Sequence, residues 1–465
     1  MDQIIAEETS GKISYKIGRK TSGDAYTDYV IFKTSSNHFL SPIFSELTDQ
    51  TFDDIFELGK YYFLRSEKFY SGFAFMDTRK LNHIPVDYEF EKRGRFLSST
   101  AAMTYYLNNL SADGRISLDE HGFHCATKDT DIQEFLNSWL KKGYINADPR
   151  KNERVIFKFI NPYLGYLSNF SNKEGLIINS NFFVLETADM KTPYSMIGQP
   201  FGALIKNGKV ILPPLFKRPV LLKYKDGRSE IKMLDISDVS VIIGKERYKN
   251  GENALFYRRP EFERTPTGKG IDLIVVNDRI MSFKTGGGSL IPDAGFVIQL
   301  PSEEHPPVSK VEYFLNNTIE FAIQAGPALV REGQPMTKIN GQFKSCSTNG
   351  SSGNSFPPNV FETQWDASKA ARIGFGFSNK EIVILWVAGC NTGEYIEGFE
   401  SEGFTFKEMA ETLLSEGVKN AISLDGGGSA QVLNRNARAL RLADRRGLKG
   451  HEFERPTPVG IKIKL

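Results

Sequence analysis

The chain is poor in residues that cross-link, ligate metals or span membranes. Three cysteines among 465 residues, Cys125, Cys346 and Cys390, give no even, spaced framework, which excludes a disulfide-dependent scaffold. Six scattered histidines form no His/Asp cluster of the kind that holds paired metals, so neither a metal nor another cofactor is implied. No run approaches the roughly 18 apolar residues of a membrane span. The opening MDQIIAEETSGK lacks the basic and apolar regions of a leader, so a cytoplasmic location without membrane insertion is expected. A formal net charge of +2 gives no field of the kind that draws in nucleic acid. What is present is ordinary: 40% apolar and 25% charged residues, enough for two or three cored domains. Thirty-five phenylalanines suit a packed core or a sugar-stacking cleft equally.

Residues 1–165 read as a smaller mixed α/β domain whose role is not legible. It holds a strand-like 28–33 and helical stretches over 52–64, 98–110 and 131–142; in the last, Ile132, Phe135, Leu136, Trp139 and Leu140 share one face. Asn109, Ser111, Asp113, Gly114, Ile116, Ser117 and Glu120 follow calcium-loop spacing. The first ligand is Asn, however, and a glycine stands where the exit helix should begin, so an Asp-Gly turn is the better reading. His121, His124 and Cys125 find no second Cys/His pair at zinc spacing.

Residues 170–465 read as the catalytic domain. Short strands alternate with glycine punctuation from about 175 onward. Asn207-Gly208 between the apolar flanks of 204–211 is a hairpin signal, and 372–378 with 381–387 repeat it across Asn379-Lys380. The KTGGGS run at 284–289 lacks the order and context of a phosphate loop. Residues 345–358 (SCSTNGSSGNSFPP) read as a lid or as a disordered insertion, and their position just before Arg372 favours a lid. The expected class is α+β: mostly antiparallel sheets with packed helices in the catalytic domain, plus the mixed N-terminal domain.

The chemistry concentrates in 420–431, NAISLDGGGSAQ. Thr405 and Glu408 form a capping box, and Phe406, Met409, Ala410, Leu413 and Leu414 recur at helical spacing until Gly417 stops the helix. A short apolar strand follows over 418–424 and delivers Asp425 to a strand end beside Gly426, Gly427, Gly428 and Ser429. Glycines in such a turn let a ligand approach the main chain, and successive N–H groups can cradle an anion. A flexible Gly/Ser turn capped by Asp is the competing structural explanation.

The stretch 403–431 resembles the signature of the phosphodiester glycosidase family. Further blocks appear in the family's order: 179–183 (NSNFF), 202–210 (GALIKNGKV), 291–297 (IPDAGFV), 324–330 (QAGPALV), 372–376 (RIGFG) and 454–461 (ERPTPVGI). Together they span residues 175–465. The resemblance implies a hydrolase that cleaves the sugar C1–O bond of a glycosyl-1-phosphodiester and releases free sugar and a phosphomonoester. A phosphate leaving group, with a second pKa of about 6, departs without a strong general acid. One carboxylate and one or two arginines then suffice. Asp425 is the expected carboxylate at C1, as base or nucleophile. Arg372, at the place of the family arginine, is the expected phosphate clamp, since a guanidinium can grip two oxygens; a structural ion pair at the strand start is the alternative. Asn179, Asn181, Gln324, the glycines 426–428, Ser429 and Arg455 are expected around the sugar or phosphate; for Arg455 the alternative is a structural pair with Glu454. Asn181 stands where the family commonly has glycine. A glycosidase or lyase of another exopolysaccharide, and a non-catalytic sugar-binding module, remain the other readings.

Overall fold

In a computed structural model of the chain the described residues are 2–44, 175–184, 199–302 except 260, 310–336, 368–390, 400–446 except 436 and 451–464 except 453 and 456, with Leu167 and short strands at 49–52, 116–119, 122–125, 145–147 and 157–160. Two compact units divide the chain. One comprises Met1–Phe44, Tyr166–Phe183 and Pro200–Leu465, the other Ser45–Gly165 and Val184–Gln199. In the second unit the described strands are a sheet of Asp49–Phe52, Phe157–Ile160 and Ile145–Ala147 and a hairpin of Ile116–Asp119 with Gly122–Cys125. The helices expected over 98–110 and 131–142, that over 52–64 beyond its first residue, the calcium-spaced Asn109, Ser111, Asp113, Gly114 and Glu120, His121 and the 345–358 lid lie outside the described residues.

The first unit carries the site. Its leading sheet has eight antiparallel strands in the order Asp2–Ser10, Ile13–Ser22, Ala25–Ser35, Glu381–Val387, Arg372–Phe377, Asn420–Ser423, Ala328–Arg331 and Gln334–Pro335. The N-terminal meander is thus zipped onto the catalytic part, in register from Glu381↔Ser35 to Val387↔Tyr29. Composition draws a boundary at residue 165; the contacts instead place residues 1–44 with the C-terminal part. The burial in 25–35 fits this, because Tyr29, Val30, Ile31 and Phe32 are buried in succession, so both faces of this strand are covered, as befits an inner strand of a packed sheet.

The Phe406–Ser415 helix lies on this sheet with Phe406, Met409, Ala410 and Leu413 buried. Its capping box forms as the residues demand: the Thr405 hydroxyl accepts from the Glu408 N–H while the Glu408 carboxylate accepts from the Thr405 N–H. Gly374 lets the helix come close, since a Cβ there would stand 2.9 Å from Leu413 Cδ1. A second sheet orders Val432–Asn434, Leu176–Asn179, Val459–Lys464 and Phe39–Phe44. A third, eight-stranded sheet contains the Leu204–Lys206 and Lys209–Leu212 hairpin, turned by Asn207 (φ 51°) and Gly208 (φ 77°), together with Arg218–Tyr224 and Ile319–Gln324. A four-stranded sheet of Leu255–Arg258, Gly295–Leu300, Thr267–Val276 and Arg279–Gly287 completes the larger layers.

The α+β expectation is corrected. The fold is mostly β, with several antiparallel sheets and, among the described residues, a single α-helix. The physical reason is periodicity. Downstream of 175 the 405–417 segment is the one stretch that combines helical spacing with both caps, whereas the other apolar runs are short, glycine-bounded and rich in β-branched residues. No helix among the described residues is long and apolar enough to cross a membrane.

Candidate functional site

The site forms where the chain leaves the first sheet for the second. The Asn420–Ser423 strand ends, Leu424 N–H donates to the Ile373 carbonyl, and Asp425 N–H donates across to the Ser180 carbonyl. The chain then turns through 426–429 and enters the second sheet at Val432–Asn434, beside Leu176–Asn179. Asn179 clasps both ends of this crossing. Its Nδ2 donates to the Asp425 carbonyl at 2.8 Å, and its Oδ1 accepts from the Gln431 N–H at 3.1 Å. Fully buried, Asn179 holds the turn.

Asp425 keeps a partly open surface on the floor of dense packing. That packing strips water from the carboxylate and pushes its pKa up to about 7, while the Ser429 hydroxyl, the positive charge of Arg455 and the Gly426 N–H pull the other way. A carboxyl so placed changes charge near neutral pH, as an acid–base group must.

The three glycines have three different reasons. A Cβ on Gly426 would stand 2.8 Å from the Ala371 carbonyl oxygen and 3.6 Å from Arg372 Cδ. Gly427 has φ +57°, and among the described residues a Cβ there would meet nothing within 4 Å, so on that side this glycine borders open space. A Cβ on Gly428 would fall 2.3 Å from Arg455 Nη2 and from both carboxylate oxygens of Asp444. The N–H groups of Gly427, Ser429 and Ala430 already donate to Ala371, Gly426 and Gly427 carbonyls. The run therefore helps mainly by lacking side chains, and those N–H groups do not form the anion cradle that the sequence suggests.

Arg372 opens the Arg372–Phe377 strand next to Gly426 and is 4% exposed. Its guanidinium lies 4.1 Å from the Phe406 ring centroid and donates to the carbonyls of Ser368 at 3.0 Å and Phe404 at 3.4 Å. Burial lowers its pKa to about 10, so it stays cationic at neutrality. Arg455 forms a two-pronged pair with Asp444, Nε to Oδ2 at 2.9 Å and Nη2 to Oδ1 at 3.0 Å, while Glu454 turns to Arg438. Asp425, the glycines, Ser429, Arg372, Asn179 and Arg455 thus come together around one turn.

Asn181 and Gln324 are placed differently. The Asn181 amide donates to the Phe201 and Gln324 carbonyls at 3.0 and 3.1 Å. Gln324 accepts from Ala203 N–H and donates to the Phe216 and Leu234 carbonyls. Both side chains are about 1% exposed and tie the third sheet to its neighbouring loops. Ser180, Asp444 and Phe406 have no role in the sequence reading of the site. The carbonyl of Ser180 and the ring of Phe406 carry no sequence signal, and Asp444 lies in a polar stretch without periodicity. Among the described residues no group of three or more His, Cys, Asp or Glu is placed to hold a metal ion.

Comparison with known proteins gives a family and distant structures. Residues 262–464 match the family described as phosphodiester glycosidase. No curated protein matches the chain. Among solved structures, a hypothetical protein from Synechocystis aligns at 12% identity and TM-score 0.40, covering 98% of this chain and 62% of the other, so the chain spans under two thirds of that relative. The zebrafish N-acetylglucosamine-1-phosphodiester alpha-N-acetylglucosaminidase catalytic domain, auto-inhibited by its pro-peptide, aligns at 12% identity and TM-score 0.37, covering 100% of this chain and 88% of the other. At these TM-scores neither likeness supports an argument about fold or activity. The match to the phosphodiester glycosidase family covers residues 262–464, which carry Arg372, Asp425, the glycine turn and Arg455.

Proposed function

We propose that the protein hydrolyses a glycosyl-1-phosphodiester at the sugar side, releasing the free sugar and a phosphomonoester. The observation that carries this reading is Asp425: a partly open carboxyl with a pKa near 7, in the field of Arg455 and beside Gly427, which no described residue crowds. Water attacks C1, its oxygen forms the new bond, and the C1–O bond breaks with its electron pair going to the phosphate. The proton lost by water passes to Asp425 and from there to solvent. Arg372 and Arg455 hold positive charge where the departing phosphate gains negative charge, in fixed positions that need no reorganisation during the reaction. If Asp425 instead attacks C1 itself, the product keeps the anomeric configuration of the substrate, which distinguishes the two roles.

The test is hydrolysis of a panel of glycosyl-1-phosphate methyl esters in oxygen-18 water. Label is expected in the free sugar, and Asp425→Asn should abolish turnover without lowering the melting temperature. Label in the phosphomonoester would refute attack at carbon. Binding of the panel without turnover by the native chain would leave a sugar-binding module.

A further inference from the structure

Arg455 and Asp444 belong to separate segments, yet each carboxylate oxygen of Asp444 accepts one guanidinium donor, at 2.9 and 3.0 Å. Both side chains are largely buried, with 13% and 4% of their surface exposed. They press on the glycine turn so closely that any side chain at 428 would collide with them. A planar guanidinium gripped on two prongs cannot swing, so its position is set by its partner. The Arg455 carbonyl is held as well, accepting from Gln431 Nε2 at 2.8 Å.

We propose that Asp444 is a positioning residue, which locks the Arg455 guanidinium against Gly428 so that the cation faces Asp425. The inference rests on the glycosidase reading only for its consequence in turnover; its geometric part stands on the pair itself. Among the described residues the charged and polar groups around Asp425 are few. The 454–455 segment brings Arg455, paired with Asp444, with both groups against Gly428; the Arg372–Phe377 strand brings Arg372 beside Gly426, and the turn contributes Ser429. The end of the Leu176–Asn179 strand offers neutral Asn179 and Ser180. Arg455 is the cation that favours ionised Asp425 and opposes the effect of its burial. A buried pair of this kind contributes little net stability, since desolvation offsets the attraction. Holding one charge in one place is what it does well.

The experiment is a carboxyl-carbon NMR titration of the full chain labelled in aspartate, with the Asp425 signal identified by its loss in Asp425→Asn. Asp444→Asn keeps the shape but sets an amide N–H against an arginine donor, so Arg455 is released. The Asp425 midpoint should then rise by on the order of one pH unit, the low end of what a neighbouring opposite charge supplies. Arg455→Gln should raise it in the same direction. Adding Asp444→Asn to Arg455→Gln should bring no further rise, because the first acts through the second. An unchanged or lowered midpoint in Asp444→Asn, or additive rises in the double variant, would overturn the proposal. If Asp444→Asn does not fold, Arg455→Lys keeps the charge and loses the fork, and its midpoint must rise too; no change there is equally fatal. A midpoint that rises while the acid limb of kcat stays in place supports the positioning role and removes Asp425 from the rate-limiting chemistry.

Discussion

Cutting the chain at the boundary suggested by composition should unfold the catalytic part. A fragment starting at residue 166 loses the meander that pairs with Glu381–Val387 and the Phe39–Phe44 strand of the second sheet. Tyr29, Val30, Ile31 and Phe32 are between 0% and 3% exposed. At about 1.5–3 kcal/mol for each fully buried apolar side chain, the four represent about 6–12 kcal/mol. Allowing for residual burial in the unfolded chain leaves about 4–10 kcal/mol. Net stabilities are about 5–15 kcal/mol, so this single loss rivals the whole. The freed backbone edge of Glu381–Val387 also becomes a template for pairing with other chains. Full-length protein and the 166–465 fragment should be compared by size exclusion and thermal melting. The fragment is expected to aggregate, or to melt at least about 10 °C lower, and a 1–44 peptide added in trans should restore part of the loss. A monomeric fragment melting within about 3 °C of the full chain would show that these strands are not part of the cooperative unit.

Further outcomes follow from the same geometry. Because Asp425 must be ionised to act as base or nucleophile, kcat should rise with pH through about 7; a fall through that value would make it a general acid. Its pKa is raised in the folded state, so the stability its neutral form contributes is present at acid pH and lost as pH rises through about 7. Asp425→Asn should therefore raise the melting temperature relative to native at pH 8 more than at pH 5; an equal change at both would deny the shift. Gly428→Ala should cost about 1–3 kcal/mol by overpacking Asp444 and Arg455, whereas Gly427→Ala meets only the penalty of its positive φ, about 1 kcal/mol; chemical denaturation ranks them, and the reverse order would contradict the packing. Arg372→Lys keeps the charge but loses the stacked planar fork. It should reduce kcat/KM on phosphodiesters far more than on aryl glycosides, and equal losses on both would leave Arg372 a purely structural pin.

Local features are legible in the sequence because their causes are local. The capping box of Thr405 and Glu408, the Asn207-Gly208 turn and the strand that delivers Asp425 each depend on residues within a few positions of one another. The 1–44 meander joins the catalytic part through pairing across more than 340 residues, from Ser35 to Glu381, and nothing nearby in sequence announces that partner. Asn181 and Gln324 show a related limit. A polar residue at a strand end has the same appearance in sequence whether it faces a cleft or, as here, satisfies buried carbonyls.

Arg455 shows how the nearest charge can mislead. Glu454 turns to Arg438 and Arg455 to Asp444, so the two neighbours in sequence do not pair with each other. The same logic separates the three glycines that stand together as one motif. Gly426 yields to the Ala371 carbonyl, Gly427 to a left-handed turn beside open space, and Gly428 to the Asp444–Arg455 ion pair. Only Gly427 borders space that a ligand could fill. The other two record how tightly the protein is built against its own carboxylate. That tightness is also what withdraws water from Asp425 and brings its charge change to neutral pH, so packing and chemistry at this corner are one constraint.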